Sequence, residues 1–81
     1  MGKLMNQNII FSDDFIFDVS QSAWRFTAQI SGQTLIIYFH CCRLAQLASI
    51  DLSTKFDLEE ETERWLKNNE YDSEEIHLHL D

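Results

Sequence analysis

Residues 24–39, which read WRFTAQISGQTLIIYF, are the stretch that decides the fold. Apolar and polar side chains alternate over residues 24–31, and this is the period of a strand with one buried face. Residues 31–33 follow as a tight turn, because Gly32 adopts a positive φ angle without steric cost. Residues 34–39 are rich in β-branched and aromatic side chains and return as a second strand. The stretch therefore predicts a β-hairpin.

A register for this hairpin follows from placing Gly32 and Gln33 in the loop. It puts three apolar pairs on one face, which we take as the core face: Ile30 with Leu35, Ala28 with Ile37, and Phe26 with Phe39. The opposite face carries Ile36 and Tyr38 and is less polar than a solvent face should be. Either another element covers this face, or it is a contact surface whose candidate residues are Ile36, Tyr38 and Arg25.

The segments around the hairpin also have readable patterns. Residues 8–11 form a short apolar run that predicts a first strand, closed by the turn-prone residues 12–14. Residues 76–80 alternate between apolar and polar side chains and predict a last strand at an exposed edge.

Two helices are predicted between the hairpin and the last strand. Apolar residues at helical spacing from Leu44 to Leu52 indicate a first helix, ended by the polar residues 53–55. Asp57, with Glu60 three residues later, is typical of a capped start to a second helix. That helix buries a stripe of Leu58, Thr62, Trp65 and Leu66. The predicted order is β-β-β-α-α-β, an α+β fold in which two helices pack on one face of an antiparallel sheet. Its expected core is Trp24, Phe26, Ile37, Phe39, Leu47, Trp65 and Leu66.

Length and composition indicate one cytoplasmic domain. The chain has 81 residues, and we assign residues 5–81 to the domain and residues 1–4 to an extension or remnant. A hydrophobic fraction of 44%, with six Phe, two Trp and two Tyr, argues against disorder. No apolar run approaches the roughly 20 residues of a membrane span, and no secretory signal is visible. Two adjacent cysteines, Cys41 and Cys42, do not make a disulfide framework.

Charge is concentrated at one end of the chain. The net charge is −8, and residues 57–81 carry ten acids against Arg64 and Lys67. Direct binding to nucleic acid is not expected, because it needs a basic patch. The acidic surface either keeps the protein soluble or binds a basic protein as a decoy or nucleic-acid mimic. Its candidate residues are Glu59, Glu60, Glu63, Glu70, Asp72, Glu74 and Glu75.

The chemistry-bearing residues are few. His77, His79 and Asp81 alternate along the last strand, so their side chains share a face and are weak candidates for metal ligands. Their spacing is similar to the His-x-His-x-Asp of metallo-β-lactamase-like hydrolases, but those enzymes are much larger and place the motif in a loop. Cys41 and Cys42 next to His40 are best explained as core residues, since no orienting acid or oxyanion hole is indicated. We predict no catalytic residues, no cofactor and no metal.

Three pieces of the chain resemble a small bacterial family, the domain of unknown function 1488. They are Phe11-Ser12-Asp13, the segment Trp24 to Gly32 with its Phe-x-Ala-x-Ile-x-Gly pattern, and the acidic helix leading to Ile76-x-Leu78. The resemblance extends from Met5 over nearly the whole chain. It departs after the hairpin turn, where residues 35–40 replace the family's Cys-x-Ile-Ser segment. The resemblance implies an α+β fold and contributes no catalytic residues.

A non-enzymatic protein-interaction module is the function that these observations favour. Its partner is an unknown protein, and a homodimer is one expected form. The acidic decoy is the alternative, and a metal-dependent hydrolase is a distant third.

Overall fold

The structure is a computed structural model that describes residues 9–80, and within them the chain forms five strands and two helices. The strands are β1 (Ile10–Phe11), β2 (Ile16–Asp18), β3 (Ala23–Ile30), β4 (Gln33–His40) and β5 (Glu75–His79), and the helices are α1 (Cys42–Ala45) and α2 (Leu52–Asn68). The predicted α+β class is confirmed. The boundary proposed after residue 4, and Asn8 of the predicted first strand, lie outside the described residues.

β3 and β4 form the predicted hairpin, with the register moved by two residues. Ile30 pairs with Gln33, so the loop contains only Ser31 and Gly32. Both loop residues have positive φ angles, 53° and 81°, as a two-residue hairpin turn requires. The predicted loop of Gly32 and Gln33 was wrong, and Phe26 pairs with Ile37 rather than with Phe39. Because side chains alternate with a period of two, this shift leaves the predicted core face unchanged.

One edge of the sheet is made of two short strands. β1 pairs with the end of β3 at Ala28 and Gln29, and β2 pairs with its beginning at Ala23 to Arg25. Residues 12–15, between β1 and β2, do not belong to a strand and interrupt this edge of the sheet. The ring of Phe15 packs in the core, with its centre 4.7 Å from that of Phe26. The sequence analysis did not predict β2, since three residues are too short for a periodic signal.

The other edge is β5, as predicted, but its direction differs from the prediction. β5 pairs with β4 in parallel, from Ile36 opposite Glu75 to His40 opposite His79. The sheet is therefore mixed and not fully antiparallel. The reason is the connection: a chain that leaves the end of β4 and crosses over through α2 returns to the start of a neighbouring strand in the same direction.

The helix boundaries also differ from the prediction. α1 has only four residues, and α2 begins at Leu52 rather than at Asp57. Asp51 is the N-cap residue, because its side-chain Oδ1 accepts a hydrogen bond of 2.8 Å from the backbone N–H of Thr54. The polar residues 53–55 therefore lie in the first turn of α2 and do not separate two helices.

The core lies between the sheet and α2. Phe26, Leu35, Ile37 and Phe39 are fully buried, and Leu58, Ile76 and Leu78 pack with them. The predicted helix stripe is correct, since Leu58 and Thr62 are buried and Trp65 and Leu66 pack against the cluster. Leu47 was wrongly assigned to the core: it lies in the segment after α1 and is 44% exposed.

Candidate interaction surface

The side of the sheet that faces away from the core is here called the outer face. Its side chains come from alternate positions of the five strands, opposite those that pack against Leu58 and Trp65 of α2. α1 also lies on the core side, because the Trp24 Nε1–H donates a hydrogen bond of 2.7 Å to the carbonyl of Leu44. Within residues 9–80 neither helix covers the outer face.

A row of four side chains crosses the outer face from edge to edge. The strand registers place Ile16 of β2, Arg25 of β3, Tyr38 of β4 and His77 of β5 side by side. Arg25 is half-buried, and its Nε lies 3.4 Å from the Asp18 carboxylate. The Ser20 hydroxyl donates a hydrogen bond to the Asp18 carboxylate, and this is the main cause that lowers the pKa of Asp18. A hydrogen bond from the backbone N–H of Gln21 lowers the pKa further, by less. Asp18 therefore stays ionised and balances Arg25 at neutral pH.

The three predicted contact residues Ile36, Tyr38 and Arg25 do come together on this face. Tyr38 is only 6% exposed, because the ring of His77 stacks on it with 4.6 Å between ring centres and an angle of 8° between planes. Ile36 is half-buried. The more exposed apolar side chains are Ile10, at 63%, and Ile16, at 46%. Sequence reasoning did not single these two out, because β1 and β2 are too short to show which of their side chains face outward.

Three histidines meet at the β5 end of the outer face. The rings of His40 and His79 stack with their centres 4.6 Å apart, and His40 Nε2 lies 2.8 Å from His77 Nδ1. Burial, and then the neighbouring imidazoles of His79 and His77, lower the pKa of His40 below its ordinary value. The His40 ring therefore favours its neutral form at neutral pH.

The predicted metal candidates are only partly brought together. His77 and His79 share the outer face, as predicted, but each ring stacks on a different partner, Tyr38 or His40. Asp81 lies outside the described residues. Within residues 9–80, no group of three or more His, Cys, Asp or Glu side chains is placed to hold a metal ion. Of the cysteines next to His40, Cys41 is buried, as expected for a core residue, whereas Cys42 is exposed.

The acidic residues lie mostly away from the outer face. Glu60 and Glu63 are exposed on α2, and Glu59 forms an ion pair of 2.6 Å with Lys55. The remaining candidates, Glu70, Asp72, Glu74 and Glu75, are exposed in the segment before β5 and at its start. Of all these, Glu75 alone has its side chain on the outer face, where it lies 4.0 Å from His77 Nε2. The outer face is thus close to neutral, while the rest of the molecule carries the excess negative charge.

A solved structure has the same fold as this chain. It is the crystal structure of a protein of unknown function from the family of domain of unknown function 1488, from Shewanella loihica PV-4. The two chains are 31% identical, the match covers 94% of each, and the TM-score is 0.66. No protein-family profile matches the chain. No curated protein matches it either. In the part of the chain described by the structure, no helix is both long enough and apolar enough to span a membrane.

Proposed function

The chain belongs to the family of domain of unknown function 1488, and from this premise we propose that it is a non-enzymatic protein-interaction module that forms a homodimer through its outer face. The observation that supports the proposal is the one-sided architecture. Within the described residues both helices pack on the core side of the five-stranded sheet, so no helix covers its outer face.

The outer face has the composition of a contact surface. Ile10 and Ile16 are exposed at one edge, and Ile36 continues the apolar area towards the middle of the sheet. Arg25 and Asp18 form a neutral pair beside them. An apolar area with polar groups at its border is typical of surfaces that bind another protein.

Electrostatics favours a second copy on this face. The charge of −8 comes from residues 57–81, and the acids of α2 lie on the other side of the sheet. When two outer faces pack about 10 Å apart, both sheets separate the two acidic helices. That separation exceeds the Debye length of about 8 Å at physiological ionic strength, so repulsion between the helices is screened. A twofold axis then buries the same apolar area on both copies.

Sedimentation equilibrium at tens of micromolar tests the proposal, with a dimer expected for the unchanged protein. Ile16→Glu and Tyr38→Glu should each shift the protein to monomer, because they place a carboxylate in an apolar interface. Val19→Glu is the matched control. Val19 is 80% exposed but lies in the turn between β2 and β3, so this variant should remain a dimer. A monomeric unchanged protein would refute the homodimer.

The acidic decoy is a second candidate, favoured by the exposure of Glu60, Glu63, Glu70 and Asp72. An electrostatic decoy loses affinity for its basic partner steeply as ionic strength rises, whereas the outer-face dimer changes little. Dimerisation and partner binding measured at low and at high salt therefore separate the two functions.

A further inference from the structure

The two edges of the sheet are protected to different degrees. The β1/β2 edge is interrupted between residues 12 and 15, and such a break prevents another strand from adding along it. The β5 edge is continuous over Glu75–His79, and its unbroken register with β4 shows no bulge. It contains neither proline nor lysine, the residues that commonly block edge pairing. No residue within 9–80 pairs with its outer side.

The direction of the backbone groups of β5 follows from its ladder with β4. The ladder begins where the Ile36 N–H donates to the Glu74 carbonyl, at 2.7 Å, and ends where the Leu80 N–H donates to the His40 carbonyl, at 3.0 Å. Alternate residues face the partner strand in a parallel pair, so Ile76 and Leu78 also face β4. The N–H and C=O groups of His77 and His79 therefore point away from the sheet, together with the C=O of Glu75. The N–H of Glu75 already donates to Ser73 Oγ, at 3.1 Å.

A groove runs beside these backbone groups, between β5 and the C-terminal half of α2. Its volume is about 430 Å³. Trp65, Leu78 and Leu80 supply an apolar side. The polar lining consists of Asn68, Asn69, His77, His79 and the ion-paired Glu61 and Arg64. A strand added next to β5 lies about 4.8 Å from it, and every second side chain of that strand enters the groove. The groove therefore fits apolar side chains at alternate positions of an extended peptide.

We propose that the outer edge of β5 binds an extended, basic segment of another protein as a sixth strand. Apolar side chains of that segment enter the groove beside Trp65, while its basic side chains lie on the outer side next to Glu75. The charge of the occupant is set by the acids at the start of the edge, Glu70, Asp72, Glu74 and Glu75. A second copy is the poorer occupant, because it carries its own excess negative charge in residues 57–81, the same part of the chain that contains β5. The backbone groups of this site lie at the β5 edge, at the opposite end of the sheet from Ile10 and Ile16 of the proposed dimer interface.

A fluorescein-labelled synthetic peptide, Lys-Val-Lys-Leu-Lys-Val-Lys, tests the proposal by fluorescence polarisation. We expect saturable binding, and binding about tenfold weaker to the variant His77→Pro, which lacks one outward N–H but keeps the ladder to β4. His77→Ala is the matched control: it loses the same imidazole, which also lines the groove, but keeps the N–H, so it should bind the peptide more tightly than His77→Pro does. Equal binding by the two variants would overturn the proposal.

Two further arms identify the occupant. A peptide of the same composition without alternation, Lys-Lys-Lys-Lys-Val-Val-Leu, should bind about tenfold more weakly, and equal binding would show charge attraction without strand pairing. Self-association that is lost in His77→Pro but kept in His77→Ala would show that a second copy occupies the edge, and would overturn the assignment to a basic peptide. The variant Ile16→Glu should still bind the alternating peptide even though it no longer forms the dimer. Loss of the outer-face dimer and loss of peptide binding at β5 can therefore be observed separately.

Discussion

The Nε2 atom of His40 and the Nδ1 atom of His77 lie 2.8 Å apart across the parallel strands β4 and β5. Their ring centres are 5.0 Å apart, with an angle of 25° between the ring planes. A hydrogen bond between two imidazoles needs one N–H donor and one lone pair. It is therefore lost when both rings are protonated.

Stability should depend on pH through His40. Burial, followed by the charges of His79 and His77, lowers its pKa in the folded protein. A lowered pKa gives a stabilising contribution that is complete above the unfolded pKa of about 6.5 and is lost as pH falls through the folded pKa. The urea concentration at the midpoint of unfolding should therefore decrease as the pH is lowered from about 7 to about 5.

The variant His40→Phe isolates this effect, because it keeps a ring on His79 but cannot take up a proton. The nearby charged groups on the outer face, Glu75, Asp18 and Arg25, remain in the variant. Its unfolding midpoint should change less with pH than that of the unchanged protein. An equally steep dependence in both proteins would show that other groups cause it.

Phe26 should be among the most costly core residues to truncate. Its side chain is fully buried, and its ring centre lies 4.7 to 5.2 Å from those of Phe15, Phe11 and Phe39. Phe26→Ala should lower the free energy of unfolding by about 3–5 kcal/mol, measured by chemical denaturation. Phe56→Ala is the control, because Phe56 is 56% exposed and its loss should cost well under 1 kcal/mol. A cost below about 1 kcal/mol for Phe26→Ala would contradict the assigned core face.

Asp51 should matter more to α2 than Asp57 does. The backbone N–H of Thr54, and then its hydroxyl, lowers the pKa of Asp51, so the carboxylate is ionised when it caps the helix. Asp51→Ala should lower the melting temperature, and Asp57→Ala, within the helix, should lower it less. Because the folded pKa is lowered, the difference between the variants should be largest above the unfolded pKa of about 3.9 and should shrink as pH falls below it. Equal melting temperatures at neutral pH would place the helix start elsewhere.

The sequence predicts most reliably the elements that are long enough to show a clear periodicity. Seven residues of β3, from Trp24 to Ile30, alternate without interruption, and the hairpin and its core face follow from them. β2 has three residues and gives no such signal. The start of α2 was misplaced because Asp57 and Asp51 are both acceptable caps, and only the hydrogen bond to Thr54 distinguishes them.

The grouping of His40, His77 and His79 on the outer face was harder to predict, because it depends on the pairing of strands that are distant in the sequence. His40 lies 37 residues from His77, and they meet only because β5 is parallel to β4. The helical segment between the two strands was a usable signal, because a crossover through a helix joins parallel strands. Which rings stack and which share a hydrogen bond depends on side-chain rotamers, and these do not follow from strand register alone.

The last prediction concerns zinc. We expect the pair His77 and His79 to bind it no better than about micromolar, because two ligands on one strand fix too few coordination positions. The rings of His77 and His79 also stack on different partners, Tyr38 and His40, so binding of both to one zinc ion requires them to reorient. Competition with a chromophoric chelator measures the affinity, using protein purified without a histidine tag. The variant with both His77→Ala and His79→Ala is the control and should bind less zinc still. Stoichiometric zinc in the purified protein would contradict this expectation and would favour the metal-dependent hydrolase over the interaction module.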